Sequence, residues 1–141
     1  MGYGARFDNA MPTGSTLTDQ LHRVQAEIIL EAAEKESCVI VGRCADYILR
    51  DKCPTLNVFI HSAMPYKIER SVREHQMDPK EAKSILLRRD KARSQNYRFY
   101  TDLHWGEAEN YDLCLDSGRL GVDACVEIIA DTYKKLLEKQ K

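Results

Sequence analysis

The stretch Cys38-Val39-Ile40-Val41-Gly42-Arg43-Cys44-Ala45-Asp46 says most about how this chain folds. Its first four residues form an apolar run that stops at a glycine, which is typical of a parallel strand buried on both faces. Ala45 to Arg50 then predicts a short helix. Gly42 permits close approach of the backbone, and Arg43 can donate two hydrogen bonds to a phosphate at the opening of that helix. The alternative for Arg43 is a surface arginine that pairs with Asp46 or Asp51.

Two further segments predict strands. Leu56-Asn57-Val58-Phe59-Ile60 is a second apolar run, and Tyr111-Asp112-Leu113-Cys114-Leu115-Asp116 is a third candidate with less regular alternation. About 14 residues separate the first two runs, which is enough for a crossover helix and a right-handed parallel unit. These strands, with helices between and around them, predict an α/β fold with a parallel sheet.

Four longer helices are expected around the sheet. Thr16-x-x-Asp19 resembles a capping box at the start of a helix that continues to about Lys35. A second helix is predicted from Met64-Pro65 to about His75. Asp78-Pro79-x-Glu81 predicts the start of a third, with Asp at the N-cap position. The residues from Val122 to Leu136 mark the apolar face of the last helix.

The composition is that of one soluble domain. The chain has 141 residues, 43% hydrophobic and 30% charged, with 21 Lys and Arg against 22 Asp and Glu. A formal charge of -1 argues against a generally basic nucleic-acid binder. No apolar run is long enough to span a membrane, and the N-terminus lacks the regions of a signal peptide, so we expect a cytoplasmic protein. Residues 1–16 predict a flexible arm, and residues 17–141 predict the domain.

The cysteines and histidines do not have the spacing of a metal site. The five cysteines are odd in number, form no C-x-x-C pair and mostly lie in apolar segments, so we interpret them as reduced and buried. The four histidines are scattered along the chain. Neither zinc binding nor a nucleophilic pair of cysteine and histidine is therefore expected.

A basic stretch from Arg88 to Arg98 is interleaved with aromatic residues. Arg89 and Arg93 are four residues apart and project from one helical face. Like charges on one face cost stability, so a ligand that carries phosphate is a natural partner, and arginines stabilise the charge that develops in phosphoryl transfer. Two alternatives remain open: RNA binding, with the aromatic side chains stacked on bases, and a solvated face balanced by acidic residues. Those acidic residues are Glu69, Glu74 and Glu81.

In their order and spacing, four segments together resemble the cytidylate kinase-like branch of the nucleoside monophosphate kinases. The segments are residues 39–49, residues 58–60 with the following helix and Arg70, the Arg89-Asp90-x-x-Arg93 pattern, and residues 111–117 before the final helix. The resemblance covers about residues 17–137. It implies a three-layer α/β fold of the P-loop kinase type, with a parallel sheet between flanking helices and a lid-like helical segment at about 79–105.

The same resemblance implies an activity and a set of site residues. ATP and Mg²⁺ would serve the transfer of a phosphoryl group to CMP or a related nucleoside monophosphate. Arg43 and Asp46 look like contacts to the acceptor nucleotide. Arg89 and Arg93 look like catalytic lid arginines that close on the phosphates, and Asp90 could orient an arginine. Residues Ser117, Gly118 and Arg119 are similar to the segment that passes near the adenine of ATP.

One departure from the family pattern stands against these matches. The phosphate loop, G-x-x-x-x-G-K followed by Ser or Thr, occurs nowhere in the 141 residues. In the family, the strand that precedes this loop lies centrally, between the strands matching residues 38–41 and 56–60. We therefore expect the C-terminal part of a longer kinase or a truncated relative, incomplete in its sheet and with negligible kinase activity by itself. The alternative is a catalytically dead module for nucleotide binding or assembly.

The missing strand also predicts assembly. Without it, backbone groups on the strands at 38–41 and 56–60 lose their partners, and helices that cover a wider sheet keep exposed apolar faces, such as Leu21, Val24 and Ile28. We therefore expect a homodimer or a larger assembly, with the N-terminal arm or the helix at 17–35 in the contact.

Overall fold

The computed structural model describes residues 16–139, and they form a mixed α/β structure that is mostly helical. The chain divides into two compact units between Leu49 and Arg50, and each is described by itself. Within residues 16–139, the sheet has two parallel strands, so the wider three-layer sheet is not observed there. The predicted arm lies outside the described residues, apart from Thr16.

The first unit is built on helix α1, Leu17–Lys35. Thr16 caps it: its hydroxyl accepts a hydrogen bond from the Asp19 amide at 3.2 Å, and the Asp19 carboxylate accepts one from the Thr16 amide at 3.1 Å. This reciprocal pair satisfies two amides that have no partner within the helix, so the predicted capping box is confirmed. The short helix α2, Ala45–Ile48, packs against α1 and confirms the helix predicted after Gly42.

Residues 38–41 are not a strand, and that prediction is wrong. They are irregular, and the side chains of Val39 and Val41 are 94% and 87% exposed. A strand needs a neighbour to hydrogen-bond its backbone, and no strand among residues 16–139 pairs with this segment. The predicted right-handed unit between this run and the second strand is therefore wrong as well.

The second unit contains the sheet. Strand β1, Val58–His61, pairs in parallel with β2, Leu113–Asp116, and Val58 lies opposite Leu113. Both strands were expected. Each begins two residues after the start of its predicted segment, at Val58 instead of Leu56 and at Leu113 instead of Tyr111. Before the ladder, the Asn57 amide donates to the Asp112 carboxylate at 2.7 Å, and the Asp112 amide donates to the Asn57 carbonyl at 2.8 Å. These bonds fix the register at the entrance to the sheet.

Four helices and one turn complete the second unit. Helix α3 spans Met64–His75, with Pro65 in its first turn, and confirms the predicted boundaries. Helix α4 spans Ala82–Thr101 and is followed by the 3-10 turn Ala108–Asn110. The short helix α5, Ser117–Leu120, leaves the end of β2, and α6, Val122–Lys139, is the predicted last helix.

The start of α4 differs from the prediction. Asp78 is not its N-cap, because the helix begins four residues later, at Ala82. Instead, the Asp78 carboxylate accepts a hydrogen bond from the Lys80 amide at 2.8 Å, and its carbonyl accepts one from the Ala82 amide at 2.9 Å. An aspartate that bonds the amide two residues on forms a turn of its own, and this turn precedes the helix.

An aromatic cluster holds the loop after α4 against β1. The Phe59 ring lies 5.0 Å from the ring of Tyr111 and 5.2 Å from that of Trp105, which it meets edge to face. Gly106 has a φ of +79°, and a Cβ built on it would lie 2.9 Å from Phe59 Cζ. Both the backbone conformation and the space therefore require glycine at this position.

The five cysteines are free. Cys44 and Cys125 are buried, as expected, but Cys38 and Cys114 are exposed, so the interpretation as buried residues is wrong for these two. Burial, and after it the charge of Asp46, raises the pKa of the Cys44 thiol. The raised pKa keeps this group protonated and therefore a poor nucleophile at neutral pH.

Candidate phosphate-binding site

Helix α4 presents a cationic face. Arg88, Arg89 and Lys91 are exposed, and none of them has an ion-pair partner among residues 16–139. Uncompensated like charges on a helix are unfavourable, and an anionic ligand relieves them. This exposed face is the part of the second unit best suited to attract phosphate.

In the alternative of a solvated face, three glutamates balance α4, and two of them pair along α3 instead. Glu74 pairs with Arg70 at 2.7 Å, and Glu69 pairs with Arg73 at 3.1 Å, so both lie in ion pairs along α3. Hydrogen bonds from Arg70 and Arg73 hold the pKa of the Glu74 carboxyl below its usual value, and the Glu74 bond raises the pKa of Arg70. For these two glutamates, the alternative of a balanced α4 face is not observed.

Arg93 is held on two sides. Its Nη2 lies 3.3 Å from Oδ1 of Asp90, one turn earlier on α4, and its Cζ lies 5.6 Å from the centre of the Trp105 ring. The second carboxylate oxygen of Asp90 accepts a hydrogen bond from Nζ of Lys67 on α3 at 2.7 Å. Asp90 is only 22% exposed, so this group of charges is partly shielded from solvent.

Arg89 and Arg93 therefore differ, although they share one helical face. Arg93 has a carboxylate and an aromatic ring as neighbours, whereas Arg89 is exposed and has no hydrogen-bond or ion-pair partner in the described part of the chain. An arginine that is already oriented loses less conformational entropy when it binds a ligand. Arg93 is thus the more ordered of the two guanidinium groups.

In the first unit, Gly42, Arg43 and Cys44 form a left-handed turn. Their φ angles are +69°, +57° and +58°, and the Gly42 carbonyl accepts a hydrogen bond from the Ala45 amide at 3.1 Å. This backbone conformation costs a non-glycine residue about 1–2 kcal/mol. The Arg43 side chain is exposed, and within residues 16–139 it forms no ion pair with Asp46 or Asp51. The structure does not show the surface pairing that was the alternative for Arg43.

The ends of β1 and β2 meet at α5. The Asp116 carboxylate caps this helix by accepting hydrogen bonds from the Gly118 and Arg119 amides at 3.0 and 3.2 Å. The Ser117 hydroxyl donates to the His61 carbonyl at 3.3 Å. A Cβ on Gly118 would lie 3.1 Å from Tyr66 Cγ. Residues 117–120 thus form a tightly packed helical turn.

The structure brings together only some of the predicted site residues. Asp90 and Arg93 are in contact, and Ser117, Gly118 and Arg119 share one turn. Arg43 and Asp46 lie close in sequence, at the left-handed turn and on α2. Sequence reasoning missed Lys67 and Trp105. A signal for Trp105 was present, since it is the one tryptophan of the chain and lies at the end of the predicted lid.

An open cavity lies on the C-terminal half of α4, with a volume of about 370 Å³. Nη1 of Arg98 lies 2.7 Å from Nε2 of His104 at its wall, and the Arg98 guanidinium is also 3.6 Å from Asp102. The other lining residues are Ser94, Gln95 and Phe99. Arg93 and Arg98 are both paired with a carboxylate, but Arg93 also lies over the Trp105 ring and shares its carboxylate with a second cation, Lys67. The surroundings of Arg93 are therefore the stronger candidate for a phosphate site.

The described residues offer exposed cations to a phosphate group, and their acidic residues do not cluster. Within residues 16–139, no group of three or more His, Cys, Asp or Glu side chains gathers to hold a metal. The phosphate loop that cradles ATP and supplies a Mg²⁺ ligand in P-loop kinases is not present in the 141 residues. The described side chains therefore offer cations to an anion, and they include no preformed cluster of metal ligands. The described helices also include none that is long and apolar enough to cross a membrane.

The parallel strands, the helices that follow them and α4 define an α/β protein with a cationic helix face. The chain belongs to the cytidylate kinase-like family, whose pattern matches residues 3–119. A crystal structure of an uncharacterized protein from Eubacterium ventriosum is similar, with 31% identity and a TM-score of 0.78. The match covers 85% of this chain and 68% of that one. No curated protein matches the chain significantly.

Proposed function

We propose that the chain carries the acceptor-binding and lid elements of a nucleoside monophosphate kinase-like phosphotransferase, with CMP as the favoured acceptor and ATP as the donor. The observation that carries this proposal is the placement of Arg93 on α4, between the Asp90 carboxylate and the Trp105 ring. The match of residues 3–119 to the cytidylate kinase-like family supports it. In this proposal, β1 and β2 belong to a wider three-layer sheet.

The proposed roles follow from the chemistry of each residue. Arg43, exposed on its left-handed turn, binds the acceptor phosphate, and Asp46 contacts the same nucleotide. Arg93 and the less restrained Arg89 bind phosphate oxygens when the lid closes, and they stabilise the charge that develops during transfer. Ser117, Gly118 and Arg119 would border the adenine of the donor.

A second candidate is a module that binds a monophosphate without transferring a phosphoryl group. It is favoured by the sequence of the 141 residues, in which no phosphate loop occurs. Positioning and electrostatic stabilisation supply most of the catalysis in phosphoryl transfer, and the phosphate loop supplies much of both. The two candidates share nucleotide binding and differ in turnover.

Calorimetry with CMP, dCMP, UMP and AMP, paired with a coupled assay containing ATP, Mg²⁺ and CMP, tests both candidates. We expect CMP to bind and turnover to be negligible. Turnover of about 1 per second or more would disprove the second candidate. A chain that binds no nucleoside monophosphate would disprove the proposed function. Binding to RNA, with a steep salt dependence and no preference for free nucleotide, would favour the RNA-binding alternative instead.

We also propose self-association through α1. Its residues Leu17, Leu21, Val24 and Ile28 recur at helical spacing and are 81%, 55%, 50% and 59% exposed. A second copy of the same helix can cover such a stripe. Light scattering at several concentrations tests this, with Ile28→Glu expected to shift the chain towards monomer. A monomer at all concentrations would contradict the proposal.

A further inference from the structure

We propose that Trp105 and Lys67 are positioning residues that hold the Arg93 guanidinium in the orientation required to bind a nucleotide phosphate group. This inference rests on the proposed function and adds two residues that sequence reasoning did not identify. Neither residue is proposed to touch the nucleotide. Both act on Arg93, Trp105 through its ring and Lys67 through Asp90.

The Trp105 ring provides a support for Arg93. The guanidinium carbon lies 5.6 Å from the centre of the ring, within the range of a cation–π interaction. The ring itself is anchored, because it meets Phe59 of β1 edge to face at 5.2 Å. Gly106 in turn lies against Phe59 and leaves no room for a larger residue. Arg93 is thereby coupled to the sheet and not only to its own helix.

Lys67 determines how Asp90 binds Arg93. Its ammonium group donates a hydrogen bond to Oδ2 of Asp90 at 2.7 Å. Arg93 contacts the other oxygen, Oδ1, at 3.3 Å. A carboxylate with both oxygens free can bind an arginine through two parallel hydrogen bonds, which occupies one edge of the guanidinium. With Oδ2 bonded to Lys67, Arg93 makes one contact with this carboxylate and not two. The remaining donors of Arg93 therefore stay available to a phosphate.

The local charge favours an anion. Two cations, Lys67 and Arg93, share one carboxylate, so the group carries a net positive charge when all three are ionised. The nearby Arg89 is exposed and has no partner in the described residues. A phosphate that reaches Arg93 therefore meets an oriented guanidinium in a positive environment, without first breaking a two-pronged ion pair.

Calorimetry with CMP on single and paired variants of the full chain tests the Trp105 contact. Trp105→Leu is expected to weaken CMP binding about two- to fivefold, the range of a cation–π contact at an exposed site, and Trp105→Phe much less. In an Arg93→Ala background, Trp105→Leu should cause no further loss. Phe99→Leu is the matched control, because it removes an exposed aromatic ring of α4 that packs edge to face on Tyr100.

The outcomes separate this inference from the proposed function. If the wild-type chain binds neither CMP nor inorganic phosphate, the proposed function fails. If the wild-type chain and Trp105→Leu bind CMP equally well, the positioning role of Trp105 fails. It also fails if Trp105→Leu lowers CMP affinity as much in the Arg93→Ala background as it does in the wild-type chain. Lys67→Met should weaken CMP binding only while Asp90 is present. An equal loss in an Asp90→Asn background would overturn the role of Lys67.

Tryptophan fluorescence provides a second test of the Trp105–Arg93 contact that does not require Trp105→Leu to fold. Trp105 is the one tryptophan of the chain, so its emission reports on this ring alone. Arg93→Ala should change the emission, because it removes the cation over the ring, and Lys134→Met, which breaks an exposed ion pair on α6, should leave it unchanged. Identical emission from wild type and Arg93→Ala would overturn the inference.

Discussion

Residues 38–41 and residues 58–61 are both short apolar runs, yet only the second forms a strand. Val58–His61 pairs with Leu113–Asp116 and has Phe59 packed among aromatic rings. The side chains of Val39 and Val41 are almost fully exposed, and their segment has no strand partner among residues 16–139. β-branched residues therefore did not suffice to make a strand.

The difference shows what a strand propensity measures. It reports how well a side chain packs on a pleated, half-buried surface, and that surface comes from residues distant in sequence. For β1, the surface is built by β2 and by the loop that carries Trp105 and Gly106. Stability should accordingly depend strongly on the second run and weakly on the first.

The largest expected effect is that of Phe59→Ala. Truncating a packed phenylalanine costs about 3 kcal/mol or more, and the change also removes the ring against which Trp105 and Tyr111 pack. Val39→Ala is the matched substitution in the other run and should change the free energy of unfolding by less than about 0.5 kcal/mol. Chemical denaturation followed by circular dichroism compares the two. If both substitutions lower the free energy of unfolding equally, the two runs do not differ in their contribution to stability.

Arg43→Ala should affect ligand binding and leave stability nearly unchanged. It removes a charge-assisted hydrogen bond to the acceptor phosphate, worth about 1.5–3 kcal/mol, or roughly ten- to a hundredfold in CMP affinity. Lys52→Ala is a control, because Lys52 is also exposed and has no ion-pair partner in the described residues. Calorimetry with CMP gives the result, and equal affinity of Arg43→Ala and wild type would contradict the assignment.

The sequence predicted those features that depend on residues close along the chain. The capping box of α1 and the proline at the start of α3 both involve neighbours within one helical turn. Helix boundaries were wrong where a local turn competed, as at Asp78.

Features that depend on distant residues could not be derived in this way. Lys67 meets Asp90 across 23 positions of sequence, and nothing in the local pattern of either helix indicates that contact. The failure of residues 38–41 to form a strand has the same origin, because pairing is decided by the rest of the sheet. Local patterns indicate that a segment is apolar, and they do not indicate what covers it.

Gly106 and Gly42 provide a second matched pair. Both have positive φ, so alanine costs each about 1 kcal/mol or more in backbone strain. Gly106→Ala also places its Cβ 2.9 Å from Phe59, and this overpacking should raise the total to about 2 kcal/mol or more. A Cβ on Gly42 would meet nothing within 4 Å. Gly106→Ala should therefore unfold at a lower midpoint temperature than Gly42→Ala. The reverse order would contradict the packing of Gly106 on Phe59.

The smallest expected effect concerns the two compact units of the chain. A titratable group in each unit makes the free energy of unfolding depend on pH, and the two groups do so in different pH ranges. Burial lowers the pKa of His22 on α1 from 6.5, and the charge of Asp19 opposes this shift only in part. The folded protein then binds the proton more weakly than the unfolded chain does. The stability that this shift contributes is present above the unfolded value of about 6.5, and it is lost as pH falls through the lower folded pKa.

In the second unit, the corresponding group is Glu74, whose pKa is lowered from 4.5 by its arginine partners. Its contribution is present above that unfolded value and is lost only at lower pH, so the two groups act in separate windows. Unfolding followed at pH values between about 7.5 and 5.5 should show a decline that His22→Gln reduces and Glu74→Gln leaves unchanged. If His22→Gln keeps the full decline in this window, another group in the chain causes it, and the burial of His22 does not contribute measurably.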